Sequence, residues 1–156
     1  MKAGRLSIKV NIHLIKQYDL ELLRKIPAYG ELLRVVCDVR FKTTGGWTGA
    51  EDAIIDTGAH TSLLPLSLWQ ELDVKILADH YVRGLVPREE CRMDVKVGWV
   101  TGIIVDERGN ATPEKRFRAF LSSLDNVPLI IGFKDLLDKF IIHIDSTEGI
   151  GFIETK

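Results

Sequence analysis

Apolar side chains stand at every second position through Leu6, Ile8, Val10, Ile12 and Leu14. A period of two lines one face of an extended strand, whereas an amphipathic helix repeats every three to four residues. The chain therefore begins as β, and most of its remaining length has the same character. Residues 32–41 are rich in valine and other strand formers, and Thr43, Thr44, Gly45 and Gly46 supply the turn that stops them. Further strands are predicted over residues 53–55, 74–82, 92–97, 100–105, 117–121, 140–144 and 150–153, with residues 107–110 as a polar turn. Leu20, Leu23 and Ile26 recur at helical spacing before Pro27 and predict a short helix over residues 18–26. Pro65, tolerated in a first helical turn, precedes the stripe Leu66, Trp69 and Leu72 and predicts another. Many short strands, few helices and no regular strand and helix alternation indicate a mainly β, mainly antiparallel domain.

Composition narrows the function classes. The 156 residues suffice for one domain with its own core. With 21 basic against 22 acidic side chains, the net charge of −1 gives no general attraction to nucleic acid or to an anionic membrane. The longest apolar runs, residues 127–133 and 140–144, are far shorter than the ~20 residues of a membrane helix. Lys2 and Arg5 lead into alternation rather than into the apolar stretch of a secretory signal, so a cytoplasmic location is expected. Cys37 and Cys91 are too few and too far apart for a disulfide framework or a zinc site, and read as ordinary thiols. No metal and no cofactor are expected.

One segment breaks the apolar pattern in a way that needs a reason. Ala53, Ile54 and Ile55 form a buried-looking strand, and Asp56, Thr57, Gly58 and Ala59 come directly after it. A carboxylate placed at the end of such a strand must be satisfied or used. Gly58 permits a close backbone approach, and the Thr57 hydroxyl can fix a neighbouring loop. By itself this is also what a capped turn looks like.

The stretch AIIDTGAHTSLLP, residues 53–65, resembles the active-site loop of the retroviral-type, retropepsin-like aspartic proteases. Downstream, Leu129, Ile130, Ile131 and Gly132 with the following FKDLLDKF are similar to the segment and short helix that support that loop in the family. The resemblance spans roughly residues 35–153 and implies a domain over residues 35–156, with residues 1–34 as an extension packed on it or leading into it. It implies a closed β-barrel subunit with a flap hairpin and one or two short helices. It further implies a homodimer acting on polypeptides, with Asp56 as the catalytic residue of each copy and Thr57, Gly58 and Ala59 shaping its loop. Ile131 and Gly132 would support that loop, and Gly84, Leu85 and Val86 would contact substrate from the flap.

Only one Asp-Thr-Gly sequence is present. Hydrolysis by paired carboxylates needs one group to take a proton from water and another to protonate the carbonyl, so two copies must each supply Asp56. The alternative is a dimerisation or peptide-binding module that keeps the fold without the chemistry. Asp145, Ser146 and Thr147 also stand after an apolar strand but lack the glycine and read as a turn. His60 reads as a surface histidine, and His13, His80 and His143 as satisfied or solvent-facing imidazoles in strands. Arg88, Arg92, Arg116 and Arg118 read as a solvated face. Trp47, Trp69 and Trp99 read as core or interface anchors, and Ile150 and Phe152 fit either the core or a sheet shared between subunits.

Overall fold

The computed structural model describes residues 6–83 and 92–156. Gly84, Leu85 and Val86, expected to contact substrate, lie outside the described residues, as does Cys91. The strands are β1 (Lys9–Tyr18), β2 (Glu31–Thr43), β3 (Gly46–Trp47), β4 (Glu51–Ile55), β5 (Ser62–Leu64), β6 (Lys75–Arg83), β7 (Arg92–Val105), β8 (Lys115–Ser122), β9 (Ile130–Ile131), β10 (Phe140–Asp145) and β11 (Ile150–Thr155). Two short helices, α1 (Leu20–Lys25) and α2 (Leu66–Trp69), interrupt them. The protein is mainly β, in agreement with the alternation of its sequence.

All eleven strands join one sheet in the order β10-β11-β1-β2-β4-β9-β5-β8-β7-β6, with β3 on β2. Because β2 also pairs with β7, the ladder through β4, β9, β5, β8 and β7 returns to β2. The length of β2 makes this possible. Its first residues pair with β1, its middle with β4, and Asp38 to Phe41 with β7. Lys9–Tyr18, from the segment read as an extension, is itself a sheet strand between β11 and β2.

The inward faces obey the period of two. Val10 and Ile12 of β1, Cys37, Val39 and Phe41 of β2, Ala53 and Ile55 of β4, and Phe117, Ala119 and Leu121 of β8 form one buried cluster. The Phe41 and Phe117 rings lie 6.4 Å apart and tilted by 47°. Full burial of such side chains contributes roughly 1.5–3 kcal/mol each. Burial pushes the Cys37 thiol far up, with Asp38 and Asp52 adding to the effect, so it is an unreactive core thiol.

Local signals account for the shorter elements. The Asp19 carboxylate accepts from the Leu22 N–H at 2.9 Å and caps α1, which ends before Pro27. Pro65 occupies the cap position of α2, and Leu72, predicted on the same helical stripe, is buried beyond its end. Two expectations need correction. Residues 92–97 and 100–105 are not separate strands but parts of the single 14-residue β7. Gly98, between the two predicted ranges, is a site of close approach: a Cβ there would stand 2.9 Å from the Lys75 carbonyl oxygen, beside the irregularity of β6 between Ile76 and Ala78.

The segment after Gly132, expected as a short helix, is not α-helical. It makes turns and a single 3-10 turn, Leu137–Lys139. Asp135 stands in the left-handed region at φ 66°, which an α-helix cannot contain. Its carboxylate is held there by the Arg118 side chain at 2.7 and 3.1 Å and by the Arg118 backbone N–H at 3.2 Å. A long-range ion pair thus overrides the local helical pattern. Arg118 is accordingly an anchor, with its guanidinium also 5.1 Å from the Trp99 ring, and not part of a merely solvated face.

Candidate active site

β4 ends at Ile55 and β5 begins at Ser62, so Asp56, Thr57, Gly58, Ala59, His60 and Thr61 form the intervening loop. Neither strand is long enough to place that loop alone. β9 inserts between them, parallel to β4 with Ile54 opposite Ile130 and Ile55 opposite Ile131, and antiparallel to β5 through Leu63 and Ile130. The loop is then tied on both sides to the segment from Leu129 to Lys134. The Asp56 N–H donates to the Ile131 carbonyl at 3.0 Å, and the Ile54 N–H to the Leu129 carbonyl at 2.9 Å. In return, the Phe133 N–H reaches the Ala59 carbonyl at 3.0 Å and the Lys134 N–H the His60 carbonyl at 2.7 Å.

Gly132 lies where these two segments are closest. A Cβ on it would fall 2.7 Å from the Thr61 carbonyl carbon and 2.9 Å from the carbonyl oxygens of Ala59 and Thr61. These are backbone atoms that cannot swing aside, so only glycine fits. Its N–H donates to the Ser62 Oγ at 2.9 Å in a buried setting. Ile131 and Gly132 thus meet the Asp56 loop through backbone atoms. Ser62 is a position in the packing of this loop that the sequence reading misses. The available signal is a hydroxyl within an apolar run, because a buried polar atom requires a partner.

Within the loop, the Gly58 N–H donates to Asp56 Oδ1 at 2.9 Å and the Ala59 N–H to the Asp56 carbonyl at 3.1 Å. Asp56 is half-buried, one carboxylate oxygen is oriented, and no donor among the described residues reaches Oδ2. This is the arrangement of a carboxylate held in place with one face available for chemistry. Thr57 is exposed and lines an open depression of about 660 Å³ with Phe133, Leu137, Phe140, Ile142 and Ile144. His60 is exposed, with Nδ1 3.0 Å from the Thr61 hydroxyl.

Other features lie apart from this loop. A second cleft of about 660 Å³ between β6, β7 and α2 is lined by Trp69, Tyr81 and Leu121 among others and does not include Asp56. Trp69 is fixed there by its Nε1–H donating to the Ser122 carbonyl at 2.8 Å. His13, Asp38 and Glu107 bring possible ligand atoms within 4.8 Å of one another, with His13 3.6 Å from Asp38 and 3.5 Å from Glu107. Burial and the facing Asp52 push the Asp38 carboxyl up. These groups belong to β1, β2 and the turn after β7, and contribute nothing to the Asp56 loop. Among the described residues, no helix is long and apolar enough to cross a membrane.

Comparison with known proteins places the architecture. No protein-family model matches the chain, and no curated sequence does. The fold is similar to the crystal structure of a retropepsin-like aspartic protease from Rickettsia conorii, with a TM-score of 0.55 over 99% of this chain and 97% of that one. Sequence identity is 13%, so the likeness is one of fold.

Proposed function

We propose that the chain is one subunit of a homodimeric aspartic endopeptidase, in which Asp56 from each of two copies forms the catalytic pair. The observation that carries this reading is the mounting of Asp56. Its loop is hydrogen-bonded on both flanks to the Leu129 to Lys134 segment, and its carboxylate is oriented by the Gly58 N–H. The similarity in fold to a retropepsin-like protease supports it.

Each chain offers a single such carboxylate, whereas the reaction needs an acid and a base at once. Two Asp56 groups facing each other across a two-fold axis cannot both ionise without strong repulsion, so the pair holds one shared proton. Water between them loses a proton to the ionised carboxylate and its oxygen attacks the peptide carbonyl. The protonated partner gives its proton to the carbonyl oxygen. The resulting tetrahedral diol collapses with proton transfer to the amine, breaking the C–N bond and restoring the pair. No covalent link to the enzyme forms at any step.

The test is mass-spectrometric analysis of an unbiased peptide mixture incubated with wild type and Asp56→Asn from about pH 4 to 7, the range bordering carboxylate titration. Cleavage by wild type alone is expected. Equal cleavage by the variant would remove Asp56 from the mechanism, and silence from a verified wild-type dimer would favour a binding module that keeps the fold.

A further inference from the structure

We propose that His13, Asp38 and Glu107 form a binding site for a divalent transition-metal cation of the zinc class, which staples β1 to β2 and β7. The site stands apart from the Asp56 loop and does not depend on the protease reading. Strand register builds it. His13 of β1 lies opposite Val36 of β2, and Asp38 is two residues further along β2, so the period of two puts both side chains on the same face. Residues from His13 to Tyr18 pair with β2, whereas Lys9 to Ile12 pair with β11. From Asp38 onward β7 takes the place of β1 beside β2, with Val105 opposite Asp38. Asp38 therefore stands at the seam where one neighbouring strand gives way to another. Glu107, two residues beyond Val105, reaches that seam from the β7 side.

The turn that carries Glu107 is fixed in place. The Asp106 carboxylate accepts from the Arg108 N–H at 2.9 Å, the Asn110 N–H at 3.0 Å and Asn110 Nδ2 at 2.9 Å, which closes the turn. It also accepts from the Asn11 N–H at 2.9 Å and Asn11 Nδ2 at 3.1 Å, which ties the turn to β1 two residues before His13. Three stretches of chain that are distant in sequence thus each deliver one possible ligand to a single point.

The spacing of the donor atoms points to what they hold. His13 Nε2 lies 3.6 Å from Asp38 Oδ2 and 3.5 Å from Glu107 Oε1, and the three ligand atoms all lie within 4.8 Å of one another. Neither approach is a hydrogen bond, which needs about 2.7–3.2 Å. Two ligand atoms bound at about 2.0–2.2 Å around a tetrahedral ion stand roughly 3.3–3.6 Å apart, which is the spacing seen. Charge points the same way. Asp52 of β4 lies directly opposite Asp38, and like charges so placed destabilise a sheet. Among the described residues, no lysine or arginine forms an ion pair with Asp38, Asp52 or Glu107, and His13 is the one basic side chain within 4 Å of Asp38 or Glu107. A cation shared by the three ligands supplies the countercharge. The imidazole nitrogen selects the zinc class over magnesium and calcium, which favour oxygen ligands. With three protein ligands, water completes the tetrahedron.

The experiment titrates the full chain, stripped with a chelator, with zinc chloride and in parallel with magnesium chloride by calorimetry at pH 7. Wild type is expected to bind one zinc ion, and its Tm to rise by roughly 5–10 °C at a hundredfold excess over the dissociation constant. His13→Gln and Glu107→Gln should each weaken zinc binding by roughly a hundredfold, at least what the loss of an outer-shell partner costs. The Glu107 side chain is 78% exposed, so Glu107→Gln serves as the test should His13→Gln lose its unfolding transition. His143→Gln, at an imidazole paired with Glu154 at 2.9 Å on another part of the sheet, should leave the affinity unchanged. X-ray absorption of the zinc-loaded chain should show one imidazole with oxygen ligands. A wild type that binds no zinc overturns the site and leaves the three side chains as an ion-pair cluster. Zinc held equally by wild type and by both variants, or bound through sulfur, places the ion elsewhere and overturns it too. Magnesium bound as tightly as zinc overturns the assignment to a nitrogen-ligated cation.

Discussion

Replacing Gly132 with alanine adds one methyl group at the point where the support segment meets the Asp56 loop. Three backbone atoms, the Thr61 carbonyl carbon at 2.7 Å and the Ala59 and Thr61 carbonyl oxygens at 2.9 Å, occupy the space it needs. Ordinary contact begins near 3.4 Å, so the two segments must part by several tenths of an ångström. Parting strains the bonds that close this gap, from Gly132 to Ser62, Phe133 to Ala59 and Lys134 to His60. Overpacking costs about 1–3 kcal/mol, and each weakened hydrogen bond adds up to roughly 1 kcal/mol. A total of about 2–4 kcal/mol results, or a fall in Tm of roughly 6–12 °C for a domain of this size. The Gly132 backbone is not in the left-handed region, so alanine adds no dihedral strain and would otherwise stabilise slightly by restricting the unfolded chain. Urea unfolding gives the loss, and turnover measured where the variant is still folded should drop at least ~100-fold as Asp56 moves. Stability within about 0.5 kcal/mol of wild type, with full turnover, would refute the claim that this contact sets the loop.

Asp56→Asn should abolish turnover while leaving the urea midpoint nearly unchanged, since the amide has almost the volume of the carboxylate; a large loss of stability would mean that the charge holds the fold. Asp135 is held down at about 2 by the hydrogen-bonded Arg118, below its ordinary 3.8, so its contribution is present above about pH 4 and fades as pH falls toward 2. Asp135→Asn should therefore cost about 1 kcal/mol at pH 7, a value discounted for the half-open Arg118 side chain, and the gap from wild type should close below pH 4. A gap constant down to pH 2 would contradict this. Gly149 has φ 69° and open space for 4 Å around the position a Cβ would take, so Gly149→Ala should cost about 1 kcal/mol through backbone strain alone, measured by urea unfolding.

What can be read in the sequence depends on whether the signal is local. The alternation in Val10, Ile12, Cys37, Val39 and Phe41 is enough to assign strands and their inward faces, because side-chain direction in a strand depends only on its own residues. The Asp56 loop is visible for a related reason: a carboxylate and a glycine stand directly after a strand. The misread elements are decided by residues far away. Residues 98–99 fall between two predicted strands, and only the approach of the Lys75 carbonyl makes glycine a requirement at Gly98 within one long strand. Residues 133–140 carry a helical pattern, and Arg118, on another strand, pins Asp135 out of it. The Ser62 hydroxyl likewise acquires a role through a partner 70 positions distant.

Long-range contacts also distinguish the Asp56 loop from an ordinary turn. Among the described residues, parallel strand pairing occurs only between β4 and β9 and between β5 and β8, so it is confined to the two strands that flank the loop. Parallel neighbours cannot be joined by a tight hairpin and must be brought together by chain that runs elsewhere first. The loop is therefore held by β8 and β9, which arrive only after β6 and β7 have been laid down. A simple surface turn needs no such clamp, because its geometry is set by its own four residues. That hydrogen bonds from a distant segment fix both flanks of the Asp56 loop, and that glycine stands where any side chain would force them apart, favours a group whose position matters over a turn that merely reverses direction.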